Sequence, residues 1–279
     1  MKIRRMTTDD IPLGLRLTRQ AGWNQTESDW RRFMNMQPDG CFVADMDGDS
    51  IGTTTTCIFD GVAWIAMVLV DKAVRGRGIG TSLLKHALAY LQEHNVRTVR
   101  LDATPAGRPI YEKLGFVPEY ELARYEGAPD SRSWIPDSRR VSSTEHRASD
   151  VIEFDFRMTG TSRQKMLASL FEEFPELVRV VRHGNQVQGY IAGRPGANAT
   201  QVGPCIATTD AGPSLLSDAM SRCAGKPVFL DVPLDNAGAV RIAEAAQLTV
   251  QRCFTRMCLG ERINDNLQAI WASSGPEKG

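Results

Sequence analysis

Residues Val62 to Leu84 read VAWIAMVLVDKAVRGRGIGTSLL, and this stretch decides the fold. Val62 to Val70 is nine apolar residues without a break, too short to span a membrane but right for a strand buried on both faces. Asp71 to Val74 is a short polar turn, followed by Arg75-Gly76-Arg77-Gly78-Ile79-Gly80. From Thr81 to His94, Leu83, Leu84, Ala87, Leu88 and Leu91 recur at helical spacing. A strand, a glycine-rich turn and a helix N-terminus together make an anion site. Glycine lets a ligand approach the backbone, first-turn N–H groups lack intrahelical acceptors, and the helix dipole adds positive charge. Arg75 and Arg77 add two full charges, so the expected ligand is a phosphate or pyrophosphate.

The spacing excludes two common phosphate motifs. Gly76 to Gly80 is not G-x-G-x-x-G, and G-x-x-x-x-G-K-[ST] does not occur in the chain. Arg-x-x-Gly-x-Gly after a buried strand instead resembles the acetyl-CoA motif of the GNAT superfamily of N-acetyltransferases. A second signature follows: Tyr111-Glu112-Lys113-Leu114-Gly115-Phe116 resembles the Y-x-K-x-G-F ending of that fold. Thr104 stands where the family usually has Asn. The resemblance covers residues 1 to about 127.

The resemblance implies an α/β (α+β) domain with a mixed central sheet flanked by helices, and acetyl-CoA as cosubstrate. It places the pantetheine arm along backbone groups of Val68, Leu69 and Val70, with an N–H near Leu69 facing the thioester oxygen. Arg75, Gly76, Arg77, Gly78, Ile79, Gly80 and Thr81 would hold the pyrophosphate. Thr104 and Tyr111 complete the implied cofactor site. Tyr111 takes the position of the general acid, since a phenol with a pKa near 10 can protonate a thiolate; the alternative is an aromatic packed at the helix–sheet junction.

Composition sets wider bounds. At 279 residues, with 42% hydrophobic and 24% charged residues, the chain has the length of two ordinary globular domains. Its 33 basic and 33 acidic residues cancel, which argues against a nucleic-acid surface. MKIRRMTTDDIP has no apolar h-region, so neither secretion nor membrane insertion is expected, and a cytoplasmic enzyme is. Six cysteines without C-x-x-C and four scattered histidines give no metal or disulfide pattern; buried free thiols are expected.

Ahead of the central stretch, Ile3 to Met6 reads as a strand. Thr7 or Thr8 can cap a helix to about Gln20, and Thr26 a second to about Met36. Trp23 and Asn24 lie between them, where the resemblance puts the acceptor pocket; Trp23 would serve equally as core filler. Cys41 to Asp45 and Ile51 to Phe59 read as strands, and Asp60-Gly61 as a hairpin turn. Beyond the centre, Val99 to Ala103 is another buried strand. Thr104-Pro105 looks like a helix start made ambiguous by Pro109, and Gly115 like its stop before a strand from Phe116.

The second half contains a faint copy of the first. Ser82 to Leu88 parallels Ser214 to Met220, and Leu101-Asp102 parallels Leu230-Asp231. Arg124 to Gly127 parallels Arg256 to Gly260, with one residue inserted. The organisation expected is a catalytic domain over 1–127, a Pro- and Ser-rich linker over 128–146 with Trp134 and Ile135 pinned to a surface, and a degenerate GNAT-like domain over 147–279. Degeneracy follows from Gly203 to Asp210, which lacks arginine and G-x-G and carries Asp210 where a phosphate would approach.

The general base is not marked, since Trp64 to Val70 contains no carboxylate. Glu27, Asp102, a water chain or an acceptor arriving neutral all remain open. The acceptor expected is a primary amine of a small molecule. Protein lysine or N-terminal amines, and an acyl-CoA sensor without turnover, are the alternatives.

Overall fold

The computed structural model describes residues 1–130, 141–142 and 148–277. The first half runs β1 (Lys2–Arg5), α1 (Ile11–Ala21), α2 (Glu27–Met36), β2 (Cys41–Met46), β3 (Asp49–Phe59), β4 (Val62–Val70), α3 (Ile79–Glu93), β5 (Thr98–Ala103), α4 (Arg108–Glu112) and β6 (Val117–Gly127). After β7 (Val141–Ser142) the second half repeats the order: α5 (Ala148–Thr159), α6 (Gln164–Glu173), β8 (Arg179–His183), β9 (Gln186–Arg194), β10 (Thr200–Ala207), α7 (Gly212–Arg222), β11 (Val228–Pro233), α8 (Ala237–Ala245), β12 (Thr249–Gly260) and β13 (Ile270–Ala272). Most of the expected linker, with Trp134 and Ile135, lies outside the described residues.

Local chemistry accounts for most of these elements. Asp10 accepts the Thr7 amide at 2.8 Å and Asp29 accepts the Thr26 amide at 2.9 Å, each holding the chain at a helix entry. Gly22 ends α1 in the left-handed conformation, at φ 66°. Pro105 does not start a helix: residues 104–107 form a turn, and α4 begins at Arg108 with Pro109 in its first turn.

The strands form one continuous sheet of order β1-β2-β3-β4-β5-β12-β6-β11-β10-β9-β8-β7, with β13 paired to β10. The two halves therefore do not own separate sheets. β12 of the second half lies between β5 and β6 of the first, and β6 in turn pairs with β11. Helices α3, α7 and α8 cover one face, through Leu83 and Leu84 over Ile65 and Leu101, and Leu215 and Leu216 over Val202 and Leu230. On the other face α1, α2, α5 and α6 share a single core around Leu17, Trp30, Phe154 and Leu167. Among the described residues no helix is long and apolar enough to cross a membrane. None of the six cysteines forms a disulfide; five are buried, but Cys253 is exposed, contrary to the expectation that all would be interior.

The feature that shapes the site is where β4 leaves its neighbour. It pairs in parallel with β5 only from Val62↔Thr98 to Trp64↔Arg100. Past that point the register against β3 shifts between Thr53 and Thr55, and Met67 takes φ 52°. This is a β-bulge, which bends and twists its strand. The side chains of Thr53 and Thr54 hold it by donating to the carbonyls of Met67 and Ala66, at 2.9 and 3.3 Å. The outer end of β4 therefore diverges from β5.

Candidate active site

A cavity of about 600 Å³ fills the divergence. Val68, Leu69 and Val70 of β4 form one side. The turn Arg75, Gly76, Gly78 and the helix start Ile79, Gly80, Thr81 form a second. Thr104, Gly107 and Tyr111 close a third, and Trp23 and Gln25 a fourth. β6, β12 and the C-terminal segment supply the rest through Arg124, Arg252, Phe254, Pro276 and Glu277.

The glycine turn is built open. Gly76 and Gly78 both sit at φ 78°, and a Cβ on either would meet nothing within 4 Å. These glycines answer to backbone conformation and to free space for a ligand, not to internal packing. The turn is anchored from behind: Asp71 accepts the Ala73 amide at 3.0 Å and pairs with Arg16. Arg75 Nε donates to the Val70 carbonyl at 3.0 Å. Neither Arg75 nor Arg77 has an ion-pair partner among the described residues. Arg77 is exposed and lies in the turn but not on the cavity wall.

Tyr111 stands on the short helix α4, its ring edge-on to Phe116 with centroids 5.9 Å apart. A Cβ on Gly107 would come within 3.0 Å of that ring, so glycine lets the ring lie against the turn. The phenol makes no hydrogen bond among the described residues, and burial pushes its pKa up to about 12. It therefore keeps its proton across the physiological range. Thr104 lines the cavity, but its hydroxyl accepts the Gly107 amide at 3.2 Å.

Of the two residues named for the acceptor, the structure brings Trp23 to the cavity and leaves Asn24 out. Asn24 is fully buried, with Oδ1 accepting from the amides of Asn198 and Ala199 and Nδ2 donating to the Ala199 carbonyl. It joins the halves. Among the carboxylates considered as base, Glu27 is exposed and paired with Arg31. Asp102 does face the cavity but is held by both arms of Arg256 at 2.8 and 2.9 Å. Gln25, Arg252, Phe254 and Glu277 are wall residues that sequence reasoning missed. Three come from the second half, and nothing local marks a residue whose cavity is completed by a strand from elsewhere.

Two family models match the chain: "Acetyltransferase (GNAT) family" over residues 13–116 and "Acetyltransferase (GNAT) domain" over residues 151–272. The chain belongs to the GNAT superfamily, in tandem form. It is an N-acetyltransferase that uses acetyl-CoA. A curated relative, holothin acyltransferase of a Pseudoalteromonas species, is 26% identical over 221 residues, covering 78% of this chain and 74% of the relative. A crystal structure from Pyrococcus horikoshii superposes with TM-score 0.83 at 24% identity, covering 100% of this chain and 95% of that one. A tandem GNAT protein from the clavulanic acid biosynthesis pathway gives 0.62 at 14%, covering 95% and 99%. Both structural likenesses concern the fold.

The residues present suit acetyl-CoA in the first GNAT repeat. The open glycine turn, its two arginines without ion-pair partners among the described residues and the edge of β4 no longer paired with β5 match a pyrophosphate followed by an extended amide-bearing arm. The second repeat has the same opening but has filled it. β10 pairs with β11 from Thr200 to Val202, as β4 does with β5, and then β13 pairs with Cys205 and Ile206 where the gap would be. At the start of α7, a Cβ on Gly212 would fall 1.9 Å from the Trp271 ring, so Trp271 covers the helix N-terminus. Its indole N–H donates to the Ala207 carbonyl at 3.3 Å.

Proposed function

We propose that this GNAT protein acetylates the primary amine of a small molecule. The observation that carries the reading is that the second half walls the cavity through Arg252, Phe254, Pro276 and Glu277. Such a wall favours a compact acceptor over an extended polypeptide. In this reading residues 1–127 form the catalytic half and 147–279 the degenerate one, their connection falling in 128–146.

When bound, acetyl-CoA supplies an acyl thioester. Arg75, the backbone from Gly76 to Thr81 and the α3 N-terminus bind and orient the phosphates, with Arg77 adding charge from the rim. Backbone groups of Val68, Leu69 and Val70 would align the pantetheine arm, with an N–H near Leu69 toward the thioester oxygen. Tyr111 holds a proton at Oη for the departing sulfur, and its raised pKa keeps that proton in place until it is needed. Thr104 fixes the turn that carries Tyr111. Trp23 and Phe254 exclude water from the acceptor side.

Thiol release from acetyl-CoA, measured across a panel of small amines and of peptides, tests the reading. A small amine should be the preferred acceptor, with the acetylated product identified by mass. Turnover confined to peptides would replace it with a protein acetyltransferase; binding of acetyl-CoA without turnover on any acceptor would replace it with a sensor.

A further inference from the structure

We propose that the acceptor carries a carboxylate beside its amine, and that Arg252 receives that carboxylate. The inference rests on the acetyl-transfer reading of the cavity. Arg252 stands on β12 directly across from Arg124 of β6, and both line the cavity. Its Nε donates to the Gln251 side chain at 3.0 Å, and it makes no ion pair among the described residues. The like-charged neighbour offers nothing to share, because Asp231 takes both arms of Arg124 at 2.8 Å.

Other arginines of this interior are compensated. Arg100 pairs with Glu119 and Asp265, Arg256 with Asp102, and Arg163 with Asp155. Arg252 is half-buried, and burial together with Arg124 lowers its pKa below the ordinary range. A cation placed so is destabilised in the empty protein and relieved by an anionic ligand.

The remaining geometry selects among anions and locates the amine. With Nε engaged, Nη1 and Nη2 are left as a parallel pair that matches the two oxygens of a carboxylate. Glu277 shares the cavity wall, and the charge of Glu126 also acts on Arg252. A monoanion suits this neighbourhood better than a phosphate dianion. Gln25, on the Trp23 loop, is 3% exposed and has a buried Oε1 without a hydrogen-bond partner. A buried carbonyl oxygen of this kind calls for an N–H donor, which an acceptor amine provides. Carboxylate on Arg252 and amine toward Gln25 describe an amino-acid-type acceptor.

The test compares wild type with Arg252→Gln on amino acids, their decarboxylated amines and ethanolamine phosphate. Thiol release is followed alongside thermal stabilisation by N-acetyl amino acids and their primary amides. In wild type, kcat/KM for a carboxylate-bearing amine should exceed that of its decarboxylated counterpart by about 10- to 100-fold. Arg252→Gln should erase that preference, mainly through KM for the carboxylate-bearing amine. If no amine is turned over, the acetyl-transfer reading fails, and binding alone decides the inference. N-acetyl amino acids should then still stabilise wild type more than their amides do, and should lose that advantage in Arg252→Gln. Equal response to acid and amide in wild type, a carboxylate preference that survives in Arg252→Gln, or a preference for ethanolamine phosphate would overturn it.

Discussion

Arg256 of β12 donates from Nε and Nη2 to the two carboxylate oxygens of Asp102 on β5, at 2.8 and 2.9 Å. The same relationship recurs between Arg124 of β6 and Asp231 of β11, at 2.8 Å on both arms. Each arginine belongs to one repeat and each aspartate to the other. The pairs thus mark a reciprocal exchange, in which β12 completes the first repeat's sheet and β6 completes the second's. Stacking adds to them: the Arg256 guanidinium lies 4.5 Å from the Trp64 ring centroid and that of Arg124 4.9 Å from Phe229.

Removing one aspartate strands a buried guanidinium. Asp231→Ala should therefore cost about 3–5 kcal/mol, the usual penalty for breaking a buried pair on one side. Because the pair spans the halves, calorimetry should show the whole chain moving to lower Tm in one transition. Two resolved transitions, with only the second half shifted, would contradict the exchange as a source of cooperativity.

Gly78 and Arg75 test the phosphate site. Gly78→Val places a branched side chain at φ 78° in the space reserved for the ligand, so it meets both backbone strain and steric block. If Arg75 binds the phosphates as proposed, Arg75→Ala removes one charge-assisted contact, and affinity for acetyl-CoA should fall about tenfold to a hundredfold. Calorimetric titration measures both, and unchanged affinity in the pair would move the phosphates elsewhere.

The filled second repeat predicts one acetyl-CoA per chain. Trp271 over Gly212 and β13 along Cys205–Ile206 occupy the counterparts of the proposed phosphate and pantetheine positions. Titration to saturation should give a stoichiometry of one. Two equivalent sites would require Trp271 and β13 to leave, which near-zero exposure of Ala272 and Trp271 opposes.

Much of this architecture is legible from the chain because its causes are local. The apolar run of β4, the polar turns, the capping residues Thr7 and Thr26 and the positive-φ glycines carry their own instructions. What is not legible depends on partners far along the chain. Antiparallel pairing of β12 with β5 has no periodic signature, so the single shared sheet could not be read from the repeat. Asn24 looks like a polar loop residue beside a pocket; it is interior because backbone groups of Asn198 and Ala199 satisfy it. Arg252 and Gln25 become site residues only once β12 and the second half are laid across the opening.

Asp10 gives the pH dependence of the N-terminal corner. Arg4 holds its carboxyl below the ordinary value of 3.8, chiefly by hydrogen bonding, and the Thr7 amide and hydroxyl assist. A depressed pKa contributes stability that is present above the unfolded value and is lost as pH falls through the folded one. Wild type should therefore exceed Asp10→Asn in Tm at neutral pH, with the gap closing below about pH 4. A gap that stayed constant into acid would show that charge on Asp10 is not its source.

Tyr111 separates an acid from a packing residue. Its ring rests on Phe116 and over Gly107, while its hydroxyl has no partner among the described residues. Tyr111→Phe removes only that hydroxyl, so folding and acetyl-CoA affinity should be preserved. If the phenol protonates the departing sulfur, kcat should fall roughly 10²–10⁴-fold, with the loss in the acyl-transfer step of single-turnover kinetics. The pH profile should report it too: in wild type the alkaline limb reflects a group pushed up to about 12, so activity should show no Tyr111-dependent decline through pH 9. A folded Tyr111→Phe enzyme with wild-type turnover on a verified amine would show that the ring, and not the hydroxyl, is what the site requires.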